Sequence, residues 1–216
     1  MESMLSLSLP MSEPLKVLCL GAHCDDIEIG CAGTLMTLQE RHPGSRFDWV
    51  VFTQEPGREG ETREAAARIH GGSASVEVLD FRMSYLPYEG AKVKDHFEKI
   101  RLRVNPDVVF THRLEDRHQD HRLIAELAWN TFRNHLVLEY EIPKYEGDLG
   151  QPNLFVPLSA EIAARKVDLL LSCFPSQAKR GWFRRELFEG HLALRGIECN
   201  APAGSAEAFH ARKVCV

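Results

Sequence analysis

The sequence predicts an α/β fold with a mostly parallel sheet covered by helices on both faces. Three observations carry this. Short apolar runs of strand character alternate four times with segments of helical periodicity, polar loops close the runs, and 216 residues suffice for one such domain, burying roughly 70% of its extended surface.

The first run, Val17-Leu18-Cys19-Leu20, lies between Pro14 and Gly21 and reads as a buried strand. Ile27, Cys31, Leu35 and Leu38 then recur at helical spacing, so a helix follows after a loop of few residues. Arg41 to Ser45 is a turn signal, Phe47 to Thr53 a second strand, and Gln54 to Gly60 a polar, glycine-containing loop. Glu61 to His70 reads as a short helix stopped by Gly71-Gly72, and Ser75 to Leu79 as a third strand. Val93, Phe97, Ile100 and Val104 mark a third helix, ended by Asn105-Pro106, and Asp107 to Phe110 is a fourth strand. Beyond the polar stretch Thr111 to His121, the apolar stripe Ile124, Leu127, Ala128, Thr131 and Phe132 places His118 to His121 in the first turn of a helix.

Later the alternation weakens. Val137 to Ile142 and Leu154 to Val156 read as strands around a turn-rich loop. Ser159 caps a helix reaching Cys173, and Phe174 to Gln177 separates it from another running to about Arg195. The expected organisation is a flexible segment over residues 1–14 and a single domain over 15–216.

Composition excludes several classes. Net charge is −5, pI is near 6.1 and no basic stripe occurs, which argues against nucleic acid. Met4 to Leu9 has no basic flank to make a signal peptide, and no apolar run reaches the ~20 residues of a membrane span. The six cysteines form no Cys-x-x-Cys pair, so a reduced, cytoplasmic protein with buried thiols is expected.

Two polar clusters fall at carboxyl ends of predicted strands, where open α/β sheets place ligands. Gly21-Ala22-His23-Cys24-Asp25-Asp26 brings one imidazole and two carboxylates; either carboxylate could also serve merely as a helix cap. His118-Gln119-Asp120-His121 brings two imidazoles three residues apart, hence on one helix face. A catalytic zinc takes three N or O ligands and keeps one position open, and His23, Asp26 and His121 supply such a set if strand order joins the loops. Asp25 is then the free carboxylate that takes a proton from the attacking water, and His118 the donor to the developing oxyanion. Asp116 and Asp120 are candidates to accept the outer N–H of the ligand imidazoles.

These residues resemble the LmbE-like, or PIG-L-like, family of zinc-dependent N-deacetylases, with motifs Ala-His-Pro-Asp-Asp-Glu and His-x-Asp-His. Ala22 to Asp26 stands for the first and His118 to His121 for the second. The resemblance implies a Rossmann-like three-layer α/β/α fold (LmbE-like fold), Zn2+ or another divalent metal such as Fe2+ on His23, Asp26 and His121, Asp25 as base and His118 at the oxyanion. It also implies a trimer or hexamer and removal of an acetyl group from an N-acylated amino sugar. Gly57 to Gly60 with Thr62-Arg63-Glu64 is similar to the family's arginine-bearing loop, making Arg58 and Arg63 substrate-contact candidates. Further similar stretches, Tyr140 to Pro143, Phe155 to Leu158, Ser176-Gln177 and Ala206 to Phe209, extend the likeness over residues 16 to 213. Two departures stand out: Cys24 replaces the usual proline, read as a thiol bystanding the metal, and Phe81 to Ser84 follows the third strand where relatives often carry an aspartate.

Three rivals remain at this level. A nucleotide-binding module needs Gly-x-Gly-x-x-Gly, but His23 replaces the middle glycine and Asp25-Asp26 repel phosphate. A metal-binding protein without turnover leaves Asp25 unused. An amidase for an amino-sugar thiol conjugate would use the same groups.

Overall fold

The computed structural model describes residues 13–214; the expectations for Met4 to Leu9 and for Cys215 fall outside them. Its sheet holds β1 (Lys16–Gly21), β2 (Arg46–Thr53), β3 (Ala74–Phe81), β4 (Val108–His112), β5 (Leu136–Tyr140), β6 (Leu154–Leu158) and β7 (Ser205–His210). The helices are α1 (Asp26–Arg41), α2 (Arg58–His70), α3 (Gly90–Arg103), α4 (Gln119–Thr131), α5 (Ala160–Cys173) and α6 (Arg185–Glu198), with short 3-10 turns at Leu86–Glu89 and Pro175–Gln177. Strand order is β3-β2-β1-β4-β5-β7-β6, parallel from β3 to β5, with β7 antiparallel to both neighbours. No helix among the described residues is long and apolar enough to cross a membrane.

The central strands are apolar at consecutive positions because both faces of the sheet are covered. Val17, Cys19, Trp49, Val51, Val108 and Phe110 pack with Ile27, Leu35, Leu170 and Phe188 on one face. Leu18, Leu20, Val50, Phe52 and Val109 meet Val93, Phe97, Ile100 and Ile124 on the other. Helix α1 is buried from Asp26 to Leu38, which leaves no solvent stripe and explains its weak amphipathic signal. Cys19, Cys24, Cys31, Cys173 and Cys199 are buried and unpaired, as expected for reduced thiols.

Several boundaries differ from the sequence reading. Helix α2 starts at Arg58 rather than Glu61, because Gly57 takes φ 86° and turns the chain directly into it. His118 caps α4 with extended backbone angles instead of lying in its first turn. Strand β7 was not foreseen: Glu207 breaks its apolar pattern, yet is buried, with Lys166 Nζ at 2.5 Å and the N–H groups of Gly33 and Thr34 donating at 2.8 and 2.6 Å. That pairing satisfies a charge otherwise costly to bury, and ties β7 to α1 and α5.

Helix α6 lies against the turn before β7 so closely that a Cβ on Gly196 would sit 2.2 Å from the carbonyl oxygen of Gly204. Backbone cannot turn aside as a side chain can. Gly196→Ala is expected to cost about 1–3 kcal/mol, read as a lowered urea midpoint with unchanged slope.

Candidate metal centre

The crossover from β1 leads to β2 and the chain from β4 leads to β5, so the loops at these adjacent strand ends diverge and leave a crevice. Both predicted clusters line it. The backbone there is fixed from two sides: Thr53 N and Oγ1 donate to Ala22 O at 2.9 and 2.8 Å, and Ala22 N donates to His112 Nε2 at 2.9 Å.

His23 Nδ1 lies 3.1 Å from His121 Nε2 and 3.3 Å from Asp26 Oδ2, and His121 Nε2 lies 3.5 Å from Asp26 Oδ1. Each imidazole is held by a carboxylate at its other nitrogen. His23 Nε2 meets Asp120 Oδ2 at 3.1 Å, and His121 Nδ1 meets Asp116 Oδ2 at 3.0 Å. With outer protons given to those carboxylates, both inner nitrogens present lone pairs toward the same point as an ionised carboxylate. A proton or a cation between them relieves the mutual repulsion.

The electrostatics agree. Burial opposes charge on His23, but Asp26 and Asp120 outweigh it and raise the imidazole to about 10. Burial and the neighbouring His112 push His121 down to about 3. Burial disfavours ionised Asp26 too, yet His121, His112 and His23 hold its carboxyl well below the usual range. In a tetrahedral site with bonds near 2.0–2.1 Å, ligand atoms stand about 3.3 Å apart, close to the separation of His23 Nδ1 and His121 Nε2 and to that of each ring from its nearer Asp26 oxygen, which is Oδ2 for His23 and Oδ1 for His121.

Asp25 is the N-cap residue of α1, but its side chain makes no capping bond and its φ is 109°. A non-glycine residue held there is strained. Its Oδ2 instead accepts from Arg58 Nη2 at 2.7 Å, while Arg58 also donates to Cys24 O and, through Nη1, to Glu55 Oε2 at 2.7 Å. Burial raises Asp25 and Asp26 adds to this, with Arg58 opposing, so its carboxyl stands at about 7. Behind it Glu28 is fully buried with neither oxygen paired, and burial pushes it up to about 8.

His118 Nδ1 accepts from Asp120 N at 3.2 Å, which leaves its proton on Nε2, and its ring centroid lies 4.5 Å from that of His121. Burial and nearby His23 lower its pKa. Arg58 thus belongs to the cluster through Asp25. Arg63 does not: it donates to Glu59 Oε1 at 2.7 and 2.9 Å and to Val76 O at 2.7 Å, on the exposed side of α2. The Cys24 thiol is buried and pushed up to about 12, chiefly by burial. In the stretch after β3, Ser84 N donates to Asp120 Oδ2 at 2.6 Å and the Arg82 guanidinium covers the Tyr85 ring at 3.6 Å.

One residue was missed. His112 stacks on His121 at 3.9 Å between centroids and its Nε2 is 3.2 Å from Asp26 Oδ2; among the described residues, Asp26, His112 and His121 form one group whose ligand atoms lie close enough to share an ion, and His23, His118 and His121 form the other. It lies at the end of β4, past the apolar run that suggested the strand, so only its sequence position beside the polar stretch hinted at it.

Residues 18–132 match the family model described as PIG-L: GlcNAc-PI de-N-acetylase. Among solved structures, the chain is similar to N,N'-diacetylchitobiose deacetylase from Pyrococcus horikoshii, with TM-score 0.72 and 21% identity over 91% of this chain and 83% of that one. It is also similar to a zinc-inhibited form of teicoplanin deacetylase, with TM-score 0.70 and 16% identity over 91% and 97%. 4-Carboxy-2-hydroxymuconate hydratase from Pseudomonas putida KT2440 aligns at TM-score 0.69 and 18% identity over 94% and 98%.

Metal uptake has a proton signature. At pH 8 the metal-free protein carries its proton on His23, raised to about 10, while His121 is already neutral. If zinc is held here, its uptake at pH 8 is therefore expected to release at least one proton per ion, that on His23, with any proton lost by acidified water adding to it, measured by calorimetry in buffers of different ionisation enthalpy.

Proposed function

The chain belongs to the PIG-L family, and from that premise we propose a metal-dependent hydrolase that removes an acetyl or other acyl group from the amide nitrogen of an N-acylated amino sugar or its conjugate. One observation carries the reading: His23, Asp26 and His121 lie in mutual contact, with nearest N···N and N···O distances of 3.1, 3.3 and 3.5 Å, while a further carboxylate, Asp25, stands beside them outside the set. His23, Asp26 and His121 would hold the ion, zinc by donor chemistry with Fe2+ the alternative. When bound, such an ion polarises a carbonyl and acidifies water.

The chain's own groups do the rest. Asp25 Oδ2 is occupied by Arg58, leaving Oδ1 to accept the proton of the water that attacks the amide carbon. His118 Nε2–H donates to the carbonyl oxygen as negative charge develops on it. As the C–N bond breaks, the proton on Asp25 passes to the departing nitrogen, giving a carboxylic acid and a free amine, between which the acid's proton then equilibrates. Arg58 sets the base: by favouring ionised Asp25 it keeps the carboxylate available near neutral pH. Of the two arginines, Arg58 is the candidate that bears on substrate, through the residues it holds; Arg63 lies outside the cluster, on the exposed side of α2.

Asp25→Ala is expected to retain stoichiometric zinc and lose turnover by about 10²–10⁴-fold, whereas His121→Ala loses the metal. Metal analysis with amine release over a panel of N-acetylated monosaccharides, nucleotide sugars and glycosides checks both; an active Asp25→Ala enzyme overturns the base assignment. Arg58→Gln removes the group that lowers Asp25, so Asp25 ionises later and the acid limb of kcat/KM moves to higher pH. A pH–rate profile of that variant reads it directly.

A further inference from the structure

We propose that Lys144 is a positioning residue of the metal centre, pinning the carboxylate that orients His121 and fastening the loop between β5 and β6 beside it. The proposal rests on the metal reading above. Lys144 Nζ lies 2.8 Å from Asp116 Oδ2, the same oxygen that receives His121 Nδ1–H at 3.0 Å. It also lies 2.8 and 2.9 Å from the two oxygens of Asp148.

The two aspartates each hold a neighbour of the catalytic imidazoles in turn. Asp116 Oδ1 accepts from His118 N at 2.8 Å, and Asp148 Oδ2 accepts from Arg117 N at 2.7 Å. Arg113 Nη1 adds a donation to Asp148 O at 2.6 Å. Side-chain exposure is 9% for Lys144 and 5% for each aspartate, so this is not a solvated surface pair. With little water to screen them, Asp116 and Asp148 would repel across the space that Lys144 occupies. Remove the ammonium and Asp116 has reason to turn from His121, whose ring then loses the partner that aims Nε2 inward.

A loop clamp and a positioning residue are separable by what they change. A clamp alone alters the thermal midpoint of the metal-free protein; positioning alters how tightly the ion is held. Zinc affinity of the full chain, measured by competition with a chromophoric chelator, is expected to fall about 10–100-fold in K144M and in K144Q. K144R, which keeps the charge, is expected to recover most of it. D148N, which leaves Lys144 on Asp116, is expected to lose less than K144M. Wild-type affinity in whichever of K144M and K144Q folds overturns the role of Lys144. A wild type that takes up no zinc overturns the metal reading beneath it.

Discussion

Two imidazole nitrogens face each other across 3.1 Å with a carboxylate against both, and no arrangement of protons on their outer sides relieves that approach. A proton or a cation between them does. Much of the surrounding polar structure serves to hold the groups in this otherwise unfavourable convergence: Asp120 and Asp116 fix the rings from outside, and the N–H groups of Ser84 and Leu86 fix Asp120 at 2.6 and 3.1 Å. Buried charges separated from water in this way persist only when each has a partner.

The strain at Asp25 fits the same scheme. A residue that begins a helix ordinarily turns its side chain inward to cap it, and Asp25 instead adopts φ 109° and reaches Arg58. The backbone cost is repaid by placing an ionisable carboxyl next to the cluster without joining it. Arg58, at the first residue of α2, then ties the second β–α unit to the first. Separate elements of the fold therefore meet at one pair of atoms, Asp25 Oδ2 and Arg58 Nη2.

Fold alone does not assign the reaction. At comparable TM-scores and 16–21% identity the chain resembles two deacetylases and a hydratase, proteins of different chemistry on one scaffold. What narrows the reading is the family match over residues 18–132 and the side chains at the crevice. The scaffold's contribution is geometric: parallel strands whose connections diverge create the opening, and polar loops at the strand ends fill it.

The first four strands, the helices between them and both polar clusters were legible in the sequence, because each rests on local pattern: buried strands read as apolar runs, and ligand-type residues gather in short loops. Strand β7 and the pairing of Glu207 with Lys166 were not, since a charge within a strand looks unfavourable until its partner, 41 residues away, is seen beside it. His112 was hidden for a like reason, lying past the apolar run that marks its strand. Residue types and spacing determined by themselves that this chain carries donors for an ion and a spare acid. Their meeting in one crevice, the nitrogens by which the two rings face each other and the attachment of Arg58 to Asp25 were decided only by the tertiary structure, because strand order and the packing around each ring are set by contacts between segments distant in sequence.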